Sequence, residues 1–175
     1  MLSETVHLQL RPFSGDDLRA VIAGKSEGET QLGLPLAEGL RDFYVSGEVS
    51  PAWMEQLCRF RTPDPWVHGF GLIDKQSSRV VGTAGFKGPP DTSGVVEIAY
   101  GIVPAHQGRG YATEAAAALV DYAFADERVR LVRAHTLPTR NASTRVLDKC
   151  GFVRVSDVVD PDDGPVWRWE RTRDA

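Results

Sequence analysis

A chain of 175 residues, 42% hydrophobic and 25% charged, has the make-up of an ordinary globule and is long enough to enclose a core in one domain spanning 1–175. Its 20 basic and 24 acidic residues give a net charge of −4 and are interspersed without a basic block, which disfavours nucleic-acid binding as a main role. No export signal, no apolar run of membrane-spanning length and no Cys or His pair at metal-ligand spacing stands out, so a cytoplasmic, metal-free protein with Cys58 and Cys150 as reduced structural thiols is expected.

In chain order, residues 6–10 alternate and predict a first strand. Ser14 and the acidic pair after it supply capping groups for a helix to about Ala23. Residues 24–34 are polar and glycine-bearing and read as a loop. Residues 35–44 and 51–60 each open with proline and carry apolar residues at helical spacing, so both predict helices. Residues 66–73 and 79–86 are β-rich and joined by a hairpin signal at 74–78; 88–94 is a plain loop and 95–103 a further strand. Residues 111–126 place Ala112, Ala115, Ala116, Leu119, Val120, Ala123 and Phe124 on one helical stripe. A strand at 131–136, a helix at 143–150 stopped by Gly151, and a hairpin of strands 152–159 and 166–171 complete the chain. The order predicts an α/β (α+β) fold, a mixed sheet with helices on both faces.

The strand ending at Val103 runs through Gln107, Gly108, Arg109 and Gly110 straight into the helix at Tyr111. Main-chain amides at a helix start have no intrahelical partner and sit at the positive end of the macrodipole. Glycines allow a phosphate close to such amides, and Arg109 adds a full charge, so this turn reads as an anion site. It lacks the third glycine of the dinucleotide fingerprint and the Gly-Lys-Ser/Thr of a Walker loop.

Gln107-x-x-Gly110-x-Ala112 resembles the pyrophosphate loop of the GNAT acyltransferase superfamily. The likeness extends to Glu97-Ile98-Ala99-Tyr100, to residues 111–115, to residues 141–152 and to both ends of the chain, where the RimJ/RimL-like branch (ribosomal-protein N-terminal acetyltransferases) is the nearest pattern. The resemblance implies a mostly antiparallel sheet of about seven strands, with the cofactor in a cleft between two splayed parallel strands. It implies acetyl-CoA as cofactor and an N-acetyltransferase in which a primary amine, of a protein N-terminus or a small molecule, attacks the thioester directly. The loop Gln107, Gly108, Arg109, Gly110, Tyr111, Ala112 and Thr113 would grip the diphosphate, and main-chain groups of Gly101, Ile102 and Val103 the pantetheine arm. Asn141 matches a family asparagine only with a one-residue offset. Family members often dimerise, which leaves a homodimer open.

Strand parity puts Val96, Ile98, Tyr100 and Ile102 on a core face, and Glu97 with Ala99, Gly101 and Val103 on a roomier one. Glu97 is read either as a general base whose pKa desolvation raises, or as a carboxylate paired with a neighbouring strand's cation. The family's usual tyrosine acid is replaced by Leu147. Ser143 stands as an alternative proton carrier or as a helix cap. His135 and His68 are read as structural hydrogen-bonding residues or cleft-liners, and His106 as solvent-facing. The four tryptophans read as packing, with Trp53 and Trp66 also able to wall an acceptor site. Two rivals remain: a catalytically silent CoA-binding module, and a generic phosphate-loop nucleotide enzyme.

Overall fold

Residues 3–45, 51–57 and 59–174 are described by the computed structural model; Cys58 and the Trp53 side chain lie outside the described residues. The strands are β1 (Ser3–Glu4), β2 (Leu8–Pro12), β3 (Phe70–Asp74), β4 (Arg79–Phe86), β5 (Val95–Ile102), β6 (Leu131–Thr136), β7 (Val153–Asp160) and β8 (Gly164–Thr172). They form one sheet in the order β1-β2-β3-β4-β5-β6-β8-β7, antiparallel everywhere except between β5 and β6. The eighth strand beyond the seven expected is β1, whose two residues are too short to carry a readable period.

The parallel pair shapes the molecule. β5 and β6 are in register only from Val95 opposite Leu131 to Glu97 opposite Arg133. Beyond that point residues 98–102 stay paired to β4 and residues 134–136 to β8, so the two strands part and leave the cleft that the resemblance implied.

Helix α6 (Tyr111–Ala125) lies along β5 and carries its apolar stripe as expected. Ala115, Ala116, Ala118 and Ala123 are all buried, and such short side chains let the helix axis approach the sheet closely. Helix α7 (Ala142–Lys149) follows β6 and buries Thr144, Val146 and Leu147. Arg173 closes the end of α6 by donating to the carbonyls of Phe124, Asp126 and Val129, satisfying acceptors that the last helical turn leaves open.

Between β2 and β3 lie α1 (Gly15–Ala23), α2 (Lys25–Leu32), α3 (Asp42–Val45), α4 (Pro51–Leu57) and α5 (Pro65–His68). Ser14 caps α1 in a reciprocal capping box with Asp17, as the sequence predicts. Three expectations fail here. The loop expected at 24–34 is mostly helix α2, which has almost no apolar stripe and is held by contact: Gly28 packs so close to α1 and Leu36 that a Cβ there would come 2.6 Å from Leu36 Cδ1. The helix expected at 35–44 shrinks to α3, because Leu36 bridges to Val80 of β4 and Gly39 takes a positive φ of 91°. The strand expected from Trp66 begins only at Phe70: Asp64 caps the turn α5, and Gly69, at φ 69°, fits against Ala84 and Gly85 of β4.

Two contacts place helices on opposite faces of β5. The Phe43 ring of α3 covers Gly101, while the Tyr100 hydroxyl meets Ser143 of α7. Adjacent strand residues point to opposite faces, so α3 and α7 flank the strand from its two sides.

Candidate active site

The turn after β5 is built by positive-φ glycines. Gly108 (φ 76°) and Gly110 (φ 82°) take left-handed conformations that an L side chain rarely adopts, and nothing lies within 4 Å of where either Cβ would stand. The Gln107 side chain turns back to donate to Ile102 O at 3.0 Å, pinning the turn to the strand that feeds it. At the other end Tyr111 is buried, and its hydroxyl donates to Asp74 Oδ1 at 3.0 Å. Asp74 also accepts from Gln76 N, Ser77 N and Ser77 Oγ. Burial pushes its carboxyl up, but these bonds outweigh burial and hold it below the usual carboxylate range. Tyr111 is thereby anchored through its ring and offers the turn only its main chain.

Between these anchors the amides of Gly108, Arg109, Gly110, Tyr111, Ala112 and Thr113 donate to no acceptor among the described residues, and Gly110 caps α6 without a side-chain bond. Six consecutive free donors, an open surface and the positive end of a fifteen-residue helix make a cradle for an anion. Arg109 is exposed on it and belongs to no ion pair among the described residues. The fit to a diphosphate is good: the two glycines on either side of Arg109 give close approach, and the donors outnumber those one phosphate needs.

The strand edges need a correction. Lys87 N donates to Glu97 O and Val103 N donates to Val81 O, so the odd-numbered residues of β5 direct their main-chain groups at β4. The amides of Gly101 and Val103 are therefore turned away from the gap, and Val103 is fully buried rather than on the open face. By the same alternation Tyr100 and Ile102 present their main chains to the gap, with Ile102 O already accepting from Gln107. The room expected at Gly101 is filled by Phe43. The adjoining Tyr44 and Val45 line, with Ile22, Pro51 and Met54, a mostly apolar cavity of 380 Å³.

Glu97 and His135 sit on one face where the strands part. Lys87 Nζ and His135 Nδ1 both stand 2.8 Å from Glu97 Oε1, and Arg168 Nε donates to His135 Nε2 at 3.2 Å. With Nε2 accepting, Nδ1 carries the hydrogen and donates to Glu97. The raised pKa expected for Glu97 is not found. Burial pushes the carboxyl up, but the hydrogen bonds from Lys87 and His135 and the charge of Lys87 outweigh it, and Glu97 lies below the usual carboxylate range. Glu97 is thus the cation-paired carboxylate of the second reading, with Oε2 free of partners among the described residues.

On the opposite face the Tyr100 hydroxyl lies 3.2 Å from Ser143 Oγ. Burial pushes the phenol above its ordinary range, so it holds its proton at neutral pH. Tyr100 was read as core; its polar tip was invisible in strand parity, and only the approach of α7 reveals it. Ser143 is not the cap. Asn141 caps α7, accepting from Thr144 N at 3.0 Å, so its carbonyl oxygen is committed to the helix start rather than to a cofactor. Leu147 is buried in the core.

The remaining candidates lie apart from this arrangement. His68 is buried with Nδ1 accepting from Asp64 N. His106 is half-buried with Nδ1 unpartnered, not solvent-facing as expected. Trp66 packs at a tilt against Phe86 and edge-on against Tyr122, and Trp169 donates to Thr136 Oγ1, so both serve packing. Among the described residues no group of three or more His, Cys, Asp and Glu could hold a metal, and no helix is long and apolar enough to cross a membrane.

The sequence model of the family described as an acetyltransferase (GNAT) domain matches residues 7–153. An uncharacterized N-acetyltransferase of Bacillus subtilis (strain 168), YjdG, is 32% identical over 90 residues, 51% of either chain, so this chain spans about half the length of that curated relative in the match. Among solved structures, a ribosomal-protein-S5-alanine acetyltransferase from Vibrio fischeri superposes with a TM-score of 0.68 at 17% identity, covering 99% of this chain and 97% of the other. The AAC(6′)-Ib structure in complex with ribostamycin and coenzyme A superposes at 0.64 and 20% identity, covering 96% and 94%.

Proposed function

This chain belongs to the GNAT acetyltransferase family, and from that premise we propose that it is an acetyl-CoA-dependent N-acetyltransferase acting on a primary amine by direct attack. The observation that carries the reading is the run of six amides, Gly108 to Thr113, without partners among the described residues, in the turn that follows the strand that parts from its parallel neighbour.

Acetyl-CoA supplies, when bound, an acetyl group activated as a thioester and a diphosphate by which it can be held. The six amides and Arg109 bind that diphosphate, and the main chains of Tyr100 and Ile102 line the gap in which a pantetheine arm would run. Glu97, kept ionised by Lys87, attracts an ammonium to its face of the sheet, and its free Oε2 accepts the proton directly or through water. Tyr100 holds a proton on the far side of the same strand, with Ser143 beside it, where a leaving thiolate needs one. Base and acid are thus separated by the thickness of β5, which lets them act on opposite ends of one reacting centre. The apolar cavity beside Tyr44 receives the body of the acceptor. A cytoplasmic location and a homodimer belong to the same proposal.

A second reading, a silent CoA-binding module, draws support from the depressed pKa of Glu97, which weakens it as a base. Thiol release from acetyl-CoA across a panel of amine acceptors, alongside calorimetry with coenzyme A, separates the two. The enzyme releases thiol with at least one amine; the module binds coenzyme A and turns over none. No binding at millimolar coenzyme A overturns both.

A further inference from the structure

One flank of the amide cradle continues into a second cationic site. Thr113, the last residue of the cradle, borders a cavity of 330 Å³ with Ala117 of α6, Lys149, Cys150 and Gly151 at the end of α7, and Arg171 of β8. Arg171 spends one nitrogen, Nη1, on Cys150 O at 2.6 Å. Gly151, at φ 79°, lies against the rest of its guanidinium, where an added Cβ would stand 3.7 Å from Nε, so the glycine keeps that group uncovered. Lys149 is exposed. Neither Lys149 nor Arg171 forms an ion pair among the described residues, although the chain as a whole is acidic and neighbouring Asp148 is already taken by Arg140. Cys150 Sγ reaches Thr113 O at 3.6 Å, which ties the end of α7 to the start of α6 and holds the two anion-seeking surfaces side by side.

We propose that this cavity is the seat of the phosphate monoester on the cofactor's ribose, held by Lys149 and Arg171 while the amide cradle holds the diphosphate. The inference rests on the coenzyme A reading of the cradle and assigns the second anionic group of that molecule. A guanidinium with free in-plane donors beside a mobile ammonium suits a dianionic monoester, which has three oxygens to offer. Asp121 of α6 is close enough for its charge to act on Cys150, which tempers the local potential, but among the described residues it pairs neither cation.

Coenzyme A and 3′-dephospho-coenzyme A differ by that one group, and isothermal titration calorimetry on the full chain tests the assignment without turnover. A charge-assisted contact predicts that the wild type binds coenzyme A about tenfold more tightly than the dephospho form. Lys149→Ala should close most of that gap while leaving affinity for the dephospho form unchanged, and Lys149→Arg should restore it. Equal affinity of the wild type for both ligands overturns the assignment while leaving the cradle intact. Equal weakening of both ligands by Lys149→Ala overturns it too. If neither ligand binds, the cofactor reading itself falls, and this inference with it.

Discussion

At Glu97 the Lys87 ammonium and the His135 Nδ1–H converge on a single carboxylate oxygen while the other oxygen has no partner among the described residues, and this arrangement determines how the residue responds to pH. Because Lys87 and His135 hold its pKa below the ordinary carboxylate range, the acid limb of kcat/KM is expected below that range. Lys87→Met leaves the burial that pushes the carboxyl up and removes the stronger of its two partners, so the acid limb should move to higher pH. A pH–rate profile of the two proteins checks the shift. The depressed pKa also links to folding: its contribution to stability is present above the unfolded value and is lost as pH falls through the lower folded one. Glu97→Gln should cut kcat about 10²-fold or more, and should also lower the melting temperature, because Lys87 and His135 lose their ionised partner. Tyr100→Phe should lower kcat with KM for acetyl-CoA nearly constant; an unaltered kcat removes Tyr100 as the acid. Much of this was readable in strand parity, which put Glu97 and Tyr100 on opposite faces. The partners were not, since Lys87 comes from the bend just after β4, His135 from β6 and Ser143 from a helix 43 residues on.

The starts of α6 and α7 are opposite solutions to one problem, the unpaired amides of a first helical turn. α7 satisfies them internally through the Asn141–Thr144 capping box, whereas α6 begins at Gly110 with no side-chain cap and leaves them open. Asn141→Ala should therefore cost about 1 kcal/mol of stability, seen as a melting temperature lower by a few degrees, with coenzyme A affinity unchanged. Gly110→Ala should behave differently. Its φ of 82° strains any L side chain by about 1–2 kcal/mol, and the relaxation should disorder the donor array, so binding weakens together with stability. Calorimetry and thermal denaturation of both variants distinguish a structural cap from a ligand cradle. At this scale the strongly patterned elements were legible: α6, β6 and β4 stand where apolar period and turn residues put them. Helix α2 was not, because its polar sequence has no stripe and its place depends on Gly28 fitting against α1.

Across the whole molecule, function depends on a sheet that is continuous at one end of β5 and open at the other, over a core to which α6 contributes its buried stripe. Leu119 is fully buried near the middle of that helix, and Leu119→Ala should destabilise the fold by about 2–5 kcal/mol in urea unfolding, through lost transfer energy and the cavity left behind. Coenzyme A at saturating concentration should recover part of that loss, since a ligand bound only by the folded state stabilises it. The amino-acid order by itself determined the succession of the strongly patterned strands and helices, the glycine turn with its anion-seeking helix start, and the family, because each rests on local backbone preference and on residues close in the chain. Tertiary structure alone decided which amides face the gap, that Glu97 is held ionised by Lys87 and His135, that Tyr100 meets Ser143, and that Lys149 joins Arg171 beside the cradle. Those outcomes come from side chains distant in sequence meeting across strands, where burial and neighbouring charge set the chemistry and no local pattern records it.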